Sequence, residues 1–184
     1  MIPNAQQALA LHRKYGSNPR IVAHCEACAK LSKMLLERAK AEGREVDEEA
    51  AVSAALLHDI GRNKVQDASH GYVGAQILAA EGVDDAVVEI VKRHVGAGIS
   101  AEEAVALGFP KGDYIPRTLE QKIVCFSDKM LDGDRARPFE QEVKRVVLKG
   151  HDVQRLNRLR DDVDAAVGGN AEGLLLSKTS ARRI

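Results

Sequence analysis

The sequence predicts an all-α fold, and three observations support that prediction. Apolar residues make up 45% of the 184 residues, yet aromatic residues make up only 3% and Trp is absent. The apolar share is mostly Ala, Leu and Val, which favours packed helices over a sandwich of aromatic and β-branched strands. Apolar residues also recur at steps of three and four, the spacing of one helix face. The length suits one domain with a sizeable core.

Capping residues and glycines divide the chain into helices. Asn4 and Asp47 are suited to cap the first and third helices, and Ser100 and Thr118 begin capping boxes with Glu103 and Gln121. Residues 61–68 read as a short polar loop, and residues 108–116 as a longer loop that could form a site rim. The predicted helices cover about residues 5–15, 19–42, 48–58, 69–80, 85–94, 100–107, 118–131, 138–148 and 151–167.

The domain is predicted to span residues 1–168, with two C-terminal helices over 138–168. Gly168-Gly169-Asn170 breaks the helical pattern, so residues 169–184 are predicted to form a mobile tail.

Composition argues against several classes of protein. Lys plus Arg and Asp plus Glu number 27 each, so no overall field attracts nucleic acid or a membrane surface. No apolar stretch of 18 residues and no signal peptide occur, so we expect a soluble, cytoplasmic protein. Three cysteines argue against a disulfide framework, and Cys25 and Cys28 are interpreted as small core thiols.

The most informative stretch is His58-Asp59-Ile60-Gly61, which follows an apolar Ala/Leu helix. Burying an imidazole and a carboxylate is costly unless each has a partner, so this pair suggests a bound metal or another cation. The alternative is a structural role, in which Asp59 fixes the turn and His58 makes one core hydrogen bond.

Other histidines favour the metal. Three of them and one aspartate lie on or beside the apolar face of a predicted helix. Helical bundles build metal sites from ligands on such facing helices. His12 and His151 fall outside this pattern and are interpreted as surface residues. The predicted ligands are His24, His58, Asp59, His70, His94 and Asp128.

This ligand set suits one or two divalent ions among Mn, Fe, Ni, Co, Zn and Mg. His24, His58, Asp59 and Asp128 would hold one, and His70 and His94 a second that Asp59 bridges. Two metals about 3.5–4 Å apart could activate water and clamp a phosphoryl oxygen, with Asp128 or Asp59 accepting the proton. The residues predicted to bind phosphate are the cations next to the ligands in sequence: Arg62, Lys64, Arg93 and Lys129. Lys64 and Arg93 are the first choices, and Lys64 is also a candidate catalytic residue.

The order His24, His58-Asp59, Asp128 resembles the H…HD…D motif of the HD-domain superfamily of metal-dependent phosphohydrolases, over about residues 18–135. Leu56-Leu57-His58-Asp59-Ile60-Gly61 resembles the HDIG branch, and residues 69–75 and 92–94 resemble its later histidine segments. The resemblance implies a stand-alone, all-helical HD domain with a metal site between helices. It also implies hydrolysis of a small phosphoester such as a nucleotide. The balanced charge leads us to expect no nucleic-acid or membrane partner, and a homo-oligomer is left open.

Two departures argue against cyclic di-GMP as the substrate. Members that cleave it carry adjacent histidines where this chain has His94-Val95, and no Gly-Tyr-Pro follows. Two alternatives to hydrolysis stay open. Some members with a six-ligand set resemble this chain and hold a diiron centre that oxygenates substrates with O₂, and a non-catalytic HD module could bind a nucleotide or a partner helix.

Overall fold

The computed structural model describes residues 1–148 and 152–180, and these fold almost entirely into helices. The α-helices of the described residues are α1 (Ala5–Lys14), α2 (Pro19–Ala41), α3 (Glu48–Leu57), α4 (His70–Ala80), α5 (Asp85–Lys92), α6 (Ala101–Ala106), α7 (Leu119–Lys129), α8 (Phe139–Leu148), α9 (Val153–Ala166) and α10 (Ala171–Ser180). The predicted all-α fold is confirmed.

The helices begin where the capping residues predicted. Asn4 accepts a hydrogen bond from the Gln7 backbone and Asp47 accepts one from Ala50. Ser100 and Thr118 complete capping boxes at the starts of α6 and α7. Side chains that satisfy the first free backbone amides of a helix explain why these boundaries could be read from the sequence.

The long helix α2 packs against α3 and α7, and α3 packs against α5. The core between them is aliphatic, with Leu35, Leu57 and Ile123 fully buried, while Phe126 stacks on Phe139 of α8. The three cysteines are buried free thiols, as expected for Cys25 and Cys28.

A short 3₁₀ helix, Ile60–Asn63, occupies the start of the predicted polar loop and packs closely on α4. A Cβ atom added to Gly61 would lie 2.0 Å from the carbonyl oxygen of His70 and 2.6 Å from the amide nitrogen of Gly74. Only glycine allows this approach, which brings the chain after Asp59 against the start of α4.

Two elements differ from the sequence prediction. The seventh helix ends at Lys129 rather than near 131, because the chain turns at Gly133 (φ +58°) into a hairpin of β1 (Leu131–Asp132) and β2 (Arg135–Ala136). Residues 171–180, predicted as part of a mobile tail, form α10 and bury Ala171 and Leu175 in the core. Gly168-Gly169, which the sequence predicts as the end of the packed chain, is a turn between α9 and α10.

Among the described residues, no helix combines the length and the apolar character needed to cross a membrane.

Candidate metal centre

The predicted ligands come from separate elements and meet at one point. Each lies at or near a helix end, or on a helix that faces the core. His24 lies in α2, His58 caps the end of α3, Asp59 precedes the 3₁₀ helix, His70 begins α4, His94 follows α5 and Asp128 lies in the last turns of α7.

All four histidines of the cluster form a hydrogen bond to a backbone carbonyl through the same ring nitrogen, Nδ1. A carbonyl oxygen only accepts, so Nδ1 donates its proton and Nε2 is the nitrogen that faces the centre. The Nδ1 distances are 2.6 Å from His24 to Gly133, 2.8 Å from His58 to Ala55, 2.7 Å from His70 to Asp67 and 2.7 Å from His94 to Val91.

The carboxylate of Asp59 lies between two groups of these nitrogens. Its Oδ1 is 3.2 Å from Nε2 of His70 and 3.6 Å from Nε2 of His94, and its Oδ2 is 3.9 Å from Nε2 of both His24 and His58. A carboxylate placed in this way could bridge two cations.

Asp128 approaches the centre from the other side. Its Oδ1 lies 3.0 Å from Nε2 of His24 and 3.7 Å from Nε2 of His58. Three overlapping triads therefore have ligand atoms within 4.8 Å of one another: His24, His58 and Asp59; His58, His94 and Asp128; Asp59, His70 and His94.

These residues fit a metal. No hydrogen-bond partner among the described residues reaches Nε2 of His58 or Oδ1 of Asp59, although both atoms are buried. An unpaired buried polar atom costs free energy that a bound cation would offset. Four imidazole nitrogens and two carboxylates, without a thiolate, are the donors that divalent transition metals accept, and they do not select one metal among these.

The charge states of two residue types suit ligation. Burial raises the pKa of Asp59, but the imidazoles of His58, His70 and His94 lower it more, so it lies well below its ordinary value. The pKa of Asp128 is likewise well below its ordinary value, because Lys129 and two imidazoles outweigh burial. Burial lowers the pKa of His94 to about 4, so its ring is neutral near pH 7.

Two cations contact the carboxylates from outside the cluster. Nε of Arg62 lies 2.7 Å from Oδ2 of Asp59, and Nζ of Lys129 donates to Oδ2 of Asp128. Burial lowers the pKa of Lys129, but the charge of Asp128 more than offsets this and the pKa is raised. Both side chains are therefore held at the centre as cations.

A cavity of about 350 Å³, here called the polar cavity, opens beside the cluster. It is lined by Arg62, Gln66, Asp67, Ala68, His70, Val95, Gly96, Asp128, Lys129, Glu142, Arg145 and Val146. The cavity thus joins two predicted ligands to three cationic side chains.

Of the four residues predicted to bind phosphate, two lie at the polar cavity and two do not. Arg62 and Lys129 line the polar cavity, whereas Lys64 and Arg93, the first choices from sequence, do not. In a 3₁₀ helix, residues three apart lie one above the other, so Arg62 shares a face with Asp59 while Lys64 lies on another face and is exposed. Arg93 pairs with Glu89 one helical turn earlier and is not among the residues that line the cavity.

The prediction that His12 is a surface residue is wrong. It is 2% exposed, with Nε2 2.8 Å from the carbonyl oxygen of Leu56 and Nδ1 2.6 Å from Oγ of Ser17. It ties α1 to the end of α3, just before His58. His151 lies outside the described residues.

Sequence reasoning missed Glu142 and Arg145 of α8, which line the polar cavity. The sequence around them is that of an amphipathic helix. Such a pattern indicates that one face of the helix is buried, but not which other element that face contacts. The carbonyl of Gly133 that orients His24 was also missed, since a backbone acceptor leaves no trace in residue identity.

Several proteins of known sequence are similar to this chain. A tRNA (cytidine(56)-2'-O)-methyltransferase of Thermoplasma volcanium is 38% identical over 91% of this chain and 49% of its own length. The same-named protein of Picrophilus torridus is 34% identical over 94% and 50%. The chain therefore spans about half the length of these curated relatives. An uncharacterized protein of Methanocaldococcus jannaschii is 37% identical over 86% of this chain and 96% of its own length.

A solved structure supports the fold. The HD domain of the L. monocytogenes phosphodiesterase PgpH, in complex with cyclic di-AMP, aligns with a TM-score of 0.58 over 95% of this chain and 97% of its own. The identity is 14%, so this likeness concerns the fold alone.

A family model described as "HD domain" matches residues 21–131, more than half of the chain. That range contains all the residues of the cluster and, apart from the first two residues of α2, the helices that carry them. The chain belongs to the HD domain family.

Proposed function

We propose that this protein is a metal-dependent phosphohydrolase that acts on a small phosphoester, a nucleotide or a related metabolite. The observation that carries the proposal is the position of Asp59. One of its oxygens faces His70 and His94 and the other faces His24 and His58, beside a cavity lined by cations.

His24, His58, Asp59 and Asp128 would hold one divalent metal, and His70 and His94, with Asp59 as a bridge, a second. Such metals act as Lewis acids toward a phosphoryl oxygen and lower the pKa of a bound water. The backbone carbonyls that accept from Nδ1 keep the histidine rings oriented for ligation.

The cations of the polar cavity would bind the phosphoryl group. Arg62 and Lys129 each pair with a ligand carboxylate and still line the cavity. Arg145 adds a third cation, with Nη1 3.6 Å from Oε2 of the buried Glu142. A guanidinium can bind phosphate with two parallel hydrogen bonds, which favours orientation as well as affinity.

The proton-accepting role predicted for Asp128 or Asp59 stays a prediction. A carboxylate with a strongly lowered pKa is a good ligand and a weak base. The low pKa values therefore support ligation more directly than proton transfer.

The expectation that nucleic acid is not a partner also stays a prediction. Two relatives are named for methylation of tRNA. This chain is also 27% identical to part of a Sulfurovum protein named Ribonuclease Y. RNA is therefore a necessary member of any substrate panel.

The test is hydrolysis by the purified protein with Mn²⁺, Mg²⁺, Co²⁺, Ni²⁺, Zn²⁺ or Fe²⁺, measured as released phosphate for monoesters and as cleavage products separated by chromatography for diesters. The panel would hold nucleoside monophosphates, cyclic di-AMP, other small phosphoesters and short RNA. We expect metal-dependent hydrolysis of at least one small phosphoester and its loss in Asp59→Ala. A metal-loaded protein inert on the whole panel would contradict the proposal, and retained iron with O₂ consumption would favour the diiron alternative.

A further inference from the structure

A second cavity, of about 360 Å³ and here called the apolar cavity, lies beside the polar one. Its lining is mostly aliphatic. The apolar side chains that form its walls include Val95, Ala97, Ile99, Leu107, Val146 and Leu156. Ligand pockets of comparable volume, lined by apolar groups with a few polar ones at the edge, are typical sites for the organic part of a small molecule.

The two cavities share a boundary. Ala68, Val95, Gly96 and Val146 line both of them. The boundary follows directly after the predicted ligand His94, and at Gly96 it carries no side chain. A molecule whose phosphoryl group lies in the polar cavity could therefore extend past Gly96 into the apolar cavity.

The charged residues at the rim of the apolar cavity already have partners. Nη1 of Arg155 donates to the carbonyl of Gly98 at 2.9 Å and to Oε2 of Glu103 at 2.7 Å. Oδ1 of Asp152 accepts from the backbone amides of Gln154 and Arg155 at the start of α9. With these charges paired, the cavity favours an uncharged group over a second anion.

We propose that the apolar cavity binds the uncharged, ring-bearing organic group of the phosphoester. It would thereby select esters of ring-bearing alcohols over esters of small polar alcohols such as glycerol. The inference rests on the proposed function only in placing the phosphoryl group at the metal centre.

The first measurement compares two non-hydrolysable probes on the Mn²⁺-loaded protein by calorimetry. Phenylphosphonate and methylphosphonate carry the same charged group and differ in the ring. Burial of a phenyl ring stabilises a complex enough to make us expect about tenfold tighter binding of phenylphosphonate. Benzyl phosphate and glycerol phosphate both release an aliphatic alcohol, so we also expect kcat/KM to be higher for benzyl phosphate than for glycerol phosphate.

Two neighbouring residues of α6 provide a matched pair of variants. Ala106 lines the apolar cavity at an exposed position, so a large side chain there could occupy the cavity without entering the core. Val105 is 55% exposed and does not line the cavity. We expect Ala106→Trp to remove most of the preference for phenylphosphonate and Val105→Trp to retain it.

The outcomes separate the two proposals. Equal affinity for the two phosphonates, or equal effects of the two tryptophan variants, would overturn the apolar subsite even if phosphoesters are hydrolysed. A preference for phenylphosphonate that only Ala106→Trp removes would support the subsite even if no phosphate is released, and the proposed function would then be wrong. Binding of neither phosphonate and hydrolysis of neither ester would overturn both.

Discussion

Nε2 of His70 lies 3.1 Å from Nε2 of His94, and both rings donate from Nδ1 to a backbone carbonyl. In their neutral forms, the two imidazoles therefore direct lone pairs at each other across a buried gap. Two acceptors at this distance repel each other unless a proton or a metal lies between them. Asp59, whose Oδ1 is 3.2 Å from His70, adds a negative charge to the same point.

This geometry predicts that Asp59→Ala loses bound metal. Elemental analysis of protein purified without added metal or chelator should give about two metals per chain for the parent protein and far fewer for the variant. Asp161→Ala, at a carboxylate whose side chain is 65% exposed, is the control and should retain the metal. One metal per chain in the parent would argue for a mononuclear site, and equal metal content in parent and Asp59→Ala would contradict the ligand role of Asp59.

Metal affinity should fall as the pH falls. Burial lowers the pKa of His58, but its neighbours Cys25, Cys28 and Asp59 raise it more, so it lies well above its ordinary value. The pKa of His24 is also raised, since contacts with Asp128 outweigh burial. These rings keep a proton that a metal must displace, so affinity should increase with pH up to the raised pKa values, by about tenfold per pH unit for each proton released.

Calorimetric titration with Mn²⁺ in two buffers of different ionisation enthalpy measures that proton release. Different heats in the two buffers near pH 6.5, converging at higher pH, are expected. Identical heats at every pH would show that no proton is displaced.

Arg62 and Lys64 provide a test of the phosphate-binding residues. Arg62 lines the polar cavity and pairs with Asp59, whereas Lys64 is exposed on another face of the 3₁₀ helix. We expect Arg62→Ala to lower kcat/KM by about 10- to 100-fold, the loss of a charge-assisted contact, and Lys64→Ala to change it less than about twofold. A larger loss in Lys64→Ala than in Arg62→Ala would restore the interpretation made from sequence.

Gly61→Ala should destabilise the protein strongly. The new methyl group would lie 2.0 Å from the backbone oxygen of His70, and backbone atoms retreat less easily than side chains. We expect the free energy of unfolding to fall by about 3 kcal/mol or more, measured by urea denaturation. Gly112→Ala is the control, because its nearest atoms are at ordinary contact distance, 3.5 Å away in Tyr114.

Leu175→Ala tests whether α10 belongs to the domain. Leu175 is fully buried in the main core, so the variant should lose about 2–5 kcal/mol of unfolding free energy. Ser177→Ala, at an exposed position of the same helix, should have little effect. Unchanged stability in Leu175→Ala would support the original prediction of a tail outside the domain.

The sequence by itself determined the helices and much of the cluster. Asn4, Asp47, Ser100 and Thr118 identified helix starts because a cap is a local hydrogen bond between a side chain and the nearby backbone. The histidines could be selected because a helix stripe records which side chains face the interior, and the order of motifs resembled the HD family.

Tertiary structure decided what depends on distant parts of the chain. Arg62 rather than Lys64 lies at the cavity because the turn after Asp59 is a 3₁₀ helix, held against α4 by the close approach of Gly61. The burial of His12 depends on a carbonyl 44 residues away, and the orientation of His24 depends on a hairpin carbonyl 109 residues away. Local sequence carries no record of such contacts, because the energy that selects them arises only when the helices pack.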